Sequence, residues 1–371
     1  MRNLRQPLPR PANPRPTAAI ALQAMRFVVL AGGLLIAFSA VAEHEAPVEH
    51  LASKLYTLHT AAGDAQLPLE ASENLEREHA EITRAVMIFH GKGRNVEGYY
   101  KALRSAAPEL RHVILLAPQF LREEDAKAHR LPKEVLRWHE GSWSAGWPAE
   151  SPVAISTFSV IDALLSDLAN RANFPNLTTV VLFGHSGGGQ LLNRYAIVGT
   201  APAALAAAGI HVRFVIANPS SYLYFTDDRP QPDGSLAPYR GEACREFNRW
   251  RYGPLGAPDY VVDPSPEAWQ KRESAYANTD TVYLLGEEDT DPNQRDLDTS
   301  CGGEAQGKQR LDRGKAYFRY LKGRHAQDFH QQLWFVPGVA HVGSRMVESA
   351  CGVAAAFDAG RCATQGGDGA N

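Results

Sequence analysis

The sequence is poor in cysteine, in net charge and in long apolar segments. Its 38 basic and 41 acidic residues leave a formal net charge of −3, which gives no electrostatic basis for binding nucleic acid. Four cysteines among 371 residues are too few for a disulfide scaffold, and the absence of any Cys-x-x-Cys pair argues against a zinc site. Hydrophobic and charged shares of 44% and 21% exclude disorder, collagen and coiled coil for most of the chain. The length fits one large α/β domain with insertions or two ordinary domains.

The first 42 residues differ from the rest of the chain. They contain five arginines and no acidic residue, and an apolar run begins at Phe27 and ends at Ala40-Val41-Ala42. A basic start, an apolar centre and an Ala-x-Ala exit predict a secretory signal peptide at residues 1–42. The alternative is an uncleaved anchor, but the sixteen residues from Phe27 to Ala42 are short for a membrane-spanning helix, which needs about 20. We therefore expect a periplasmic or secreted protein with no stable membrane insertion after cleavage.

Export would change the chemistry of the four cysteines, because an oxidising compartment allows disulfides to persist. Nearness in sequence favours a bond between Cys351 and Cys362, which leaves Cys244 to pair with Cys301. Four cysteines allow three pairings, and the sequence does not choose among them.

Six short apolar runs, rich in β-branched residues, alternate with helix-forming segments. Because the runs are apolar at nearly every position, they predict strands of a parallel sheet that is covered on both faces. Strand–helix alternation at this spacing indicates a doubly wound, mainly parallel α/β sheet. The runs are Ala85–Phe89, His112–Ala117, Thr178–Phe183, Val212–Ala217, Thr281–Leu285 and Gln332–Val336.

Two segments depart from this alternation. Residues 219–278 are rich in proline, tyrosine and tryptophan, and we interpret them as an insertion or lid between the last strands. Residues 43–80 are polar, which predicts a mobile or loosely docked entry segment. We therefore expect a single domain over residues 43–371.

The strongest local pattern is Gly184-His185-Ser186-Gly187-Gly188-Gly189, which matches the Gly-x-Ser-x-Gly nucleophile elbow. The apolar strand at residues 180–183 leads into it, and the helix-forming run at residues 190–196 leads out of it. A tight strand-to-helix turn of this kind exposes the serine hydroxyl, so the context predicts Ser186 as a nucleophile.

A nucleophilic serine needs a base and an orienting acid, which follow it in this type of sheet with the acid first. Asp289 comes directly after the fifth apolar run and is the favoured acid, with Asp291 and Glu288 as alternatives. His341 alone among the downstream histidines follows the sixth run, after a Pro-Gly turn. Strand-end loops of a parallel sheet meet at one edge, which predicts that His341 is the base.

The loop after the first run carries His90-Gly91-Lys92-Gly93 and can supply backbone donors to an oxyanion. The amide of Gly187 is one predicted donor. The Lys92 amide is the favoured second donor, with Gly91 and Gly93 as alternatives. Phosphate binding by this loop is a weaker interpretation, because the Walker spacing is absent.

These parts, taken in order, resemble the α/β-hydrolase superfamily over about residues 84–350. The likeness is greatest to exported bacterial serine hydrolases with His-Gly-x-x-Arg-Asn, here at residues 90–95, and with Asn-Pro-Ser-Ser-Tyr, here at residues 218–222. The resemblance implies hydrolysis of a small-molecule or polymer ester through a Ser-His-Asp triad, with no metal or organic cofactor. A peptidase or amidase with the same triad, or a non-catalytic hydrolase-like binding protein, remains an alternative.

Aromatic residues near the predicted site raise the question of substrate binding. Trp138 and Trp143 lie in a tryptophan-rich loop after the second run, and Tyr222 follows the fourth. An aromatic wall over the elbow would suit an aryl or sugar-linked ester. The alternative is ordinary packing of these rings in the core.

Overall fold

An eight-stranded, mainly parallel sheet organises the part of the chain that the structure, a computed structural model, describes: residues 46–61, 63–241 and 243–364. The predicted signal peptide lies outside these residues. The strands are β1 (Lys54–Thr60), β2 (Gly63–Ala71), β3 (Arg84–Phe89), β4 (Val113–Pro118), β5 (Thr179–His185), β6 (His211–Ala217), β7 (Asp228–Pro230), β8 (Leu236–Pro238), β9 (Asp280–Gly286) and β10 (Gln332–Val336). The sheet order is β1-β2-β4-β3-β5-β6-β9-β10, whereas β7 and β8 form a separate antiparallel pair.

Helices cover both faces of the large sheet. They are α1 (Val96–Ala106), α2 (Glu123–Ala128), α3 (Thr157–Ala169), α4 (Gly187–Val198), α5 (Ala201–Ala207), α6 (Pro266–Ala277), α7 (Cys301–Glu304), α8 (Arg310–Arg324), α9 (Gly343–Glu348) and α10 (Ala350–Phe357), with a 3₁₀ turn at Ser142–Ala145. Successive side chains of a strand point to opposite faces. In β3, Met87 joins one hydrophobic core while Val86 and Ile88 join the other. All six predicted strands are confirmed, and so is the doubly wound class.

The prediction for residues 43–80 is wrong. The strands β1 and β2 pair as an antiparallel hairpin, and β2 pairs with β4, so the hairpin extends one edge of the sheet. Leu67 and Leu69 are buried, whereas β1 is mostly exposed or half-buried, with Leu58 as its one buried residue. An edge hairpin has one solvated face, which is why its composition resembles that of a loop.

The predicted insertion is shorter than residues 219–278. Its last part is α6, which packs on α4 and connects β6 to β9 as an ordinary crossover helix. The remainder contains β7 and β8 and is held by Arg229, whose buried guanidinium donates to the carbonyls of Phe247 and Tyr252.

Among the described residues, no helix is both long enough and apolar enough to cross a membrane.

Two disulfides tie the periphery of the sheet together. Cys244–Cys301 joins the insertion to α7, and Cys351–Cys362 joins α10 to the following tail. The second bond brings Thr364 beside β10, where its hydroxyl accepts from the Phe335 amide and donates to the Phe335 carbonyl, each at 2.8 Å. The tail therefore satisfies backbone groups on the open edge of the sheet.

We expect the two disulfides to contribute unequally to stability. The bonds span 57 and 11 residues, and loop-closure entropy in the unfolded chain predicts contributions of about 4 and about 3 kcal/mol. The double variant Cys244→Ser/Cys301→Ser should therefore lose more free energy of unfolding in urea than Cys351→Ser/Cys362→Ser. A larger loss for the second variant would contradict this ranking.

Candidate active site

Backbone crowding forms the turn between β5 and α4 that carries Ser186. A Cβ on Gly184 would lie 2.2 Å from the Gly188 carbonyl oxygen, and a Cβ on Gly188 would lie 2.2 Å from that of Phe89. No side chain fits at either position. Ser186 itself has a φ of +56°, an uncommon conformation for a non-glycine residue, and its amide donates to the Ala217 carbonyl at 2.9 Å. The segment that the sequence predicts as a nucleophile elbow thus forms a strained strand-to-helix turn.

The structure brings together the three residues that the sequence predicts as a triad. His341 Nε2 lies 2.9 Å from Ser186 Oγ, and His341 Nδ1 lies 2.8 Å from Asp289 Oδ2. Because a carboxylate only accepts hydrogen bonds, Nδ1 carries the ring proton of a neutral His341 and Nε2 accepts from the serine hydroxyl. Asp289 is buried, whereas the alternatives Asp291 and Glu288 are exposed.

The two predicted oxyanion donors lie side by side next to Ser186. The Lys92 amide nitrogen is 3.2 Å from the place that a Cβ on Gly187 would occupy, and a Cβ on Gly91 would lie 3.4 Å from the Ser186 Cβ. Gly187 is the first residue of α4, where amides have no acceptor within the helix and the helix dipole favours negative charge. The arrangement therefore suits an anionic oxygen that forms beside the serine.

His90 orients this loop, a role that sequence reasoning missed. The Phe120 amide donates to His90 Nε2 at 3.0 Å, so the neutral ring carries its proton on Nδ1, which donates to the Gly91 carbonyl at 2.9 Å. The Gly91 carbonyl and the Lys92 amide belong to the same planar peptide unit. A bond that fixes the direction of the carbonyl therefore also fixes the direction of the amide. Burial lowers the pKa of His90 to about 4, which keeps the ring neutral near pH 7.

A buried ion pair anchors the same loop, which follows β3. Arg94 Nε lies 2.8 Å from Asp125 Oδ2, and Arg94 Nη1 donates to the Lys92 carbonyl at 3.2 Å. Asn95 then caps α1 by accepting from the Gly98 amide. The His-Gly-x-x-Arg-Asn pattern thus has a physical explanation: the histidine sets the peptide, the arginine anchors the loop, and the asparagine starts the helix.

The aromatic residues proposed to bind substrate have different positions. Trp138 and Tyr222 are buried in the core, where Trp138 Nε1 donates to the Trp147 carbonyl at 3.1 Å and Tyr222 stacks on Tyr317. These two rings pack against neighbouring elements and do not form an exposed wall. Trp143, also buried, has a ring atom 3.1 Å from the Cβ position of Gly187. Of the three, Trp143 is the one placed beside the elbow.

Within the described ranges, no group of three or more histidine, cysteine, aspartate or glutamate side chains could hold a metal ion.

No family model matches the sequence of this chain, and none of the curated proteins matches it.

Solved structures share the architecture. The chain is similar to poly(aspartic acid) hydrolase-1 from Sphingomonas sp. KT-1, with 21% identity, a TM-score of 0.54, and coverage of 82% of this chain and 97% of that one. It is also similar to LpqC, a poly(3-hydroxybutyrate) depolymerase from Bordetella parapertussis, with 20% identity, a TM-score of 0.57, and coverage of 84% and 91%. At this identity the likeness concerns the fold, and together with the sheet order it shows that the chain has the α/β-hydrolase fold.

Proposed function

We propose that this protein is a serine hydrolase that cleaves carboxylic esters through an acyl-enzyme. The observation that carries the proposal is the continuous hydrogen-bond chain from Ser186 through His341 to Asp289, at 2.9 and 2.8 Å. A serine hydroxyl is a weak nucleophile until an oriented base can take its proton. Binding of a ligand alone does not require these three groups to be aligned at a strained turn.

Acylation uses the groups in a fixed order. Ser186 Oγ forms a bond to the ester carbonyl carbon while His341 Nε2 takes the hydroxyl proton. The carbonyl oxygen becomes an anion, which the Gly187 and Lys92 amides stabilise. The tetrahedral intermediate then expels the alcohol, and His341 returns the proton to it. Asp289 holds the imidazole and stabilises its charged form.

Deacylation repeats these steps with water. His341 takes a proton from a water molecule, whose oxygen bonds to the acyl carbon. In the collapse of the second intermediate, the bond between Ser186 Oγ and the acyl carbon breaks, His341 returns the proton to Oγ, and the acid leaves. All of the chemistry is carried by protein groups, so the mechanism needs no cofactor.

The substrate is proposed as a small-molecule or polymer ester. The two structural neighbours are, by name, a hydrolase of poly(aspartic acid) and a depolymerase of poly(3-hydroxybutyrate), which supports polymers of acyl units as substrates to test. Trp143 is the proposed aromatic wall of the acyl site, because its ring lies against Gly187. An amidase with the same triad would cleave anilides as well as esters. A panel of p-nitrophenyl esters and aminoacyl-anilides separates the two activities.

Export is part of the proposal. The basic leader with its apolar run supports it, and so do two disulfides in a chain of four cysteines, because such bonds persist in oxidising compartments. Terminal sequencing of the mature protein from the producing cell should find Glu43 as the first residue. Recovery of peptides from residues 1–42 on the mature protein would contradict cleavage at that point.

Ser186→Ala should slow turnover severely. We expect kcat on an activated ester to fall by at least about 10³-fold, the scale of triad removals, with the fold unchanged because the new side chain is smaller. A fluorophosphonate probe should label the wild type and leave the variant unlabelled. An unlabelled wild type would favour the non-catalytic binding protein.

His90→Phe tests the orientation of the oxyanion loop. The variant removes the ring donor to the Gly91 carbonyl, which keeps its bond from the Arg94 amide at 3.0 Å. The peptide that carries the Lys92 amide is then held less firmly, so kcat should fall by about 10-fold, less than for loss of a whole donor, with little change in KM. His79→Phe is the matched control, because His79 is also buried and also bonded to a backbone carbonyl, that of Asn74. An equal loss of kcat in both variants would point to general destabilisation and against a role in orientation.

A further inference from the structure

A buried arginine lies on the far side of the triad acid. Arg310 is the first residue of α8 and is 1% exposed, and its Nη1 lies 3.5 Å from Asp289 Oδ1. The other oxygen of the same carboxylate bonds to His341. Asp289 is therefore shared between an imidazole and a guanidinium, each on its own oxygen.

The guanidinium is held in place by further bonds. Its Nε donates to Ser220 Oγ at 3.0 Å, and its Nη2 donates to Gln294 Oε1 at 2.8 Å. The Leu311 amide donates to the Asp289 carbonyl at 3.3 Å, so the start of α8 lies directly against the acid. Arg310 thus has a defined position relative to Asp289.

The other charged groups around Arg310 do not cancel its charge. Burial lowers the pKa of Arg310, while Asp289, Asp296 and Asp291 raise it, which leaves the guanidinium charged near pH 7. Asp296 is also 3.7 Å from Lys92 Nζ, and Asp291 is exposed to solvent. Of the nearby carboxylates, only Asp289 is both buried and paired with Arg310 and His341.

Two further groups at His341, the His185 ring and the Tyr99 hydroxyl bonded to it, are neutral. The His185 ring lies 4.7 Å from the His341 ring, and its Nδ1 is 2.7 Å from the Tyr99 hydroxyl. Burial, with the charges of His341 and Arg310, keeps the pKa of His185 well below its usual range. Burial also raises the pKa of Tyr99, so both neighbours are neutral near pH 7.

This arrangement has a consequence for the pH range of the reaction. His341 acts as a base only while it is unprotonated, and the Asp289 carboxylate favours its protonation. The fixed positive charge of Arg310, beside the other oxygen of that carboxylate, opposes protonation of His341. His341 therefore stays available as a base at lower pH. We propose that Arg310 is a positioning residue that extends the acid side of the activity range by counteracting the Asp289 charge. The inference rests on the proposed function.

The test is the pH–rate profile of kcat/KM on a p-nitrophenyl ester. In Arg310→Gln, which removes the charge and keeps a hydrogen-bond donor, the midpoint of the acid limb should rise by about one pH unit. Arg310→Lys keeps the charge, so its midpoint should stay at the wild-type value even if kcat falls. An unchanged midpoint in Arg310→Gln would overturn the proposal.

Arg313→Gln is the matched control. Arg313 lies one turn along α8, is equally buried, and donates to the carbonyls of Gly307, Asp298 and Ser220 without contacting Ser186, His341 or Asp289. Its removal should lower thermal stability and leave the acid midpoint in place. A shift in the control equal to that in Arg310→Gln would overturn the specific role of Arg310.

If Arg310→Gln does not fold, Gln294→Glu provides a second test. The new carboxylate lies on the far side of the guanidinium, at a half-buried position, and should raise the acid midpoint by compensating the charge of Arg310. An unchanged midpoint in this variant would also overturn the proposal. A wild type that neither cleaves esters nor reacts with the fluorophosphonate probe would instead reject the proposed function itself.

Discussion

Close backbone contact at the carboxyl end of β5 is the constraint on which the site depends. Gly184 and Gly188 let the strand, the turn and the start of α4 approach each other within distances that any side chain would prevent. The turn thereby holds Ser186 in its strained conformation and places the Gly187 amide beside it. The adjacent strand β3 ends at the same edge, so the loop after it meets the elbow. The proposed nucleophile and the proposed oxyanion donors are thus both positioned by the packing of two neighbouring strands.

The remaining groups are brought in over long distances in the chain. The contact between Ser186 and His341 spans 155 residues, and that between His341 and Asp289 spans 52. Parallel strands make this possible, because all of their carboxyl ends lie at one edge of the sheet. The buried charges below that edge, Arg94 with Asp125 and Arg310 with Asp289, fix loops that have no regular structure of their own. The geometry of the candidate site is therefore a property of the whole sheet edge.

Local patterns predicted the strands and the positions of Ser186, Asp289 and His341, because each position follows directly from where an apolar run ends. The β1–β2 hairpin escaped prediction, since a solvated edge strand has the composition of a loop. Trp138 and Tyr222 were assigned to a substrate wall because sequence does not distinguish a buried ring from an exposed one. The supporting contacts of His90 and Arg310 depend on tertiary structure, and no spacing along the chain reveals them.

The short disulfide near the end of the chain has a significance beyond its contribution to folding. It keeps Thr364 on the outer edge of β10, where a hydroxyl occupies both the amide and the carbonyl of Phe335. An open strand with vacant backbone groups is a template for pairing with another molecule. The tail therefore protects the edge at β10 from pairing with a strand of another molecule. The disulfide attaches this protective tail covalently to α10.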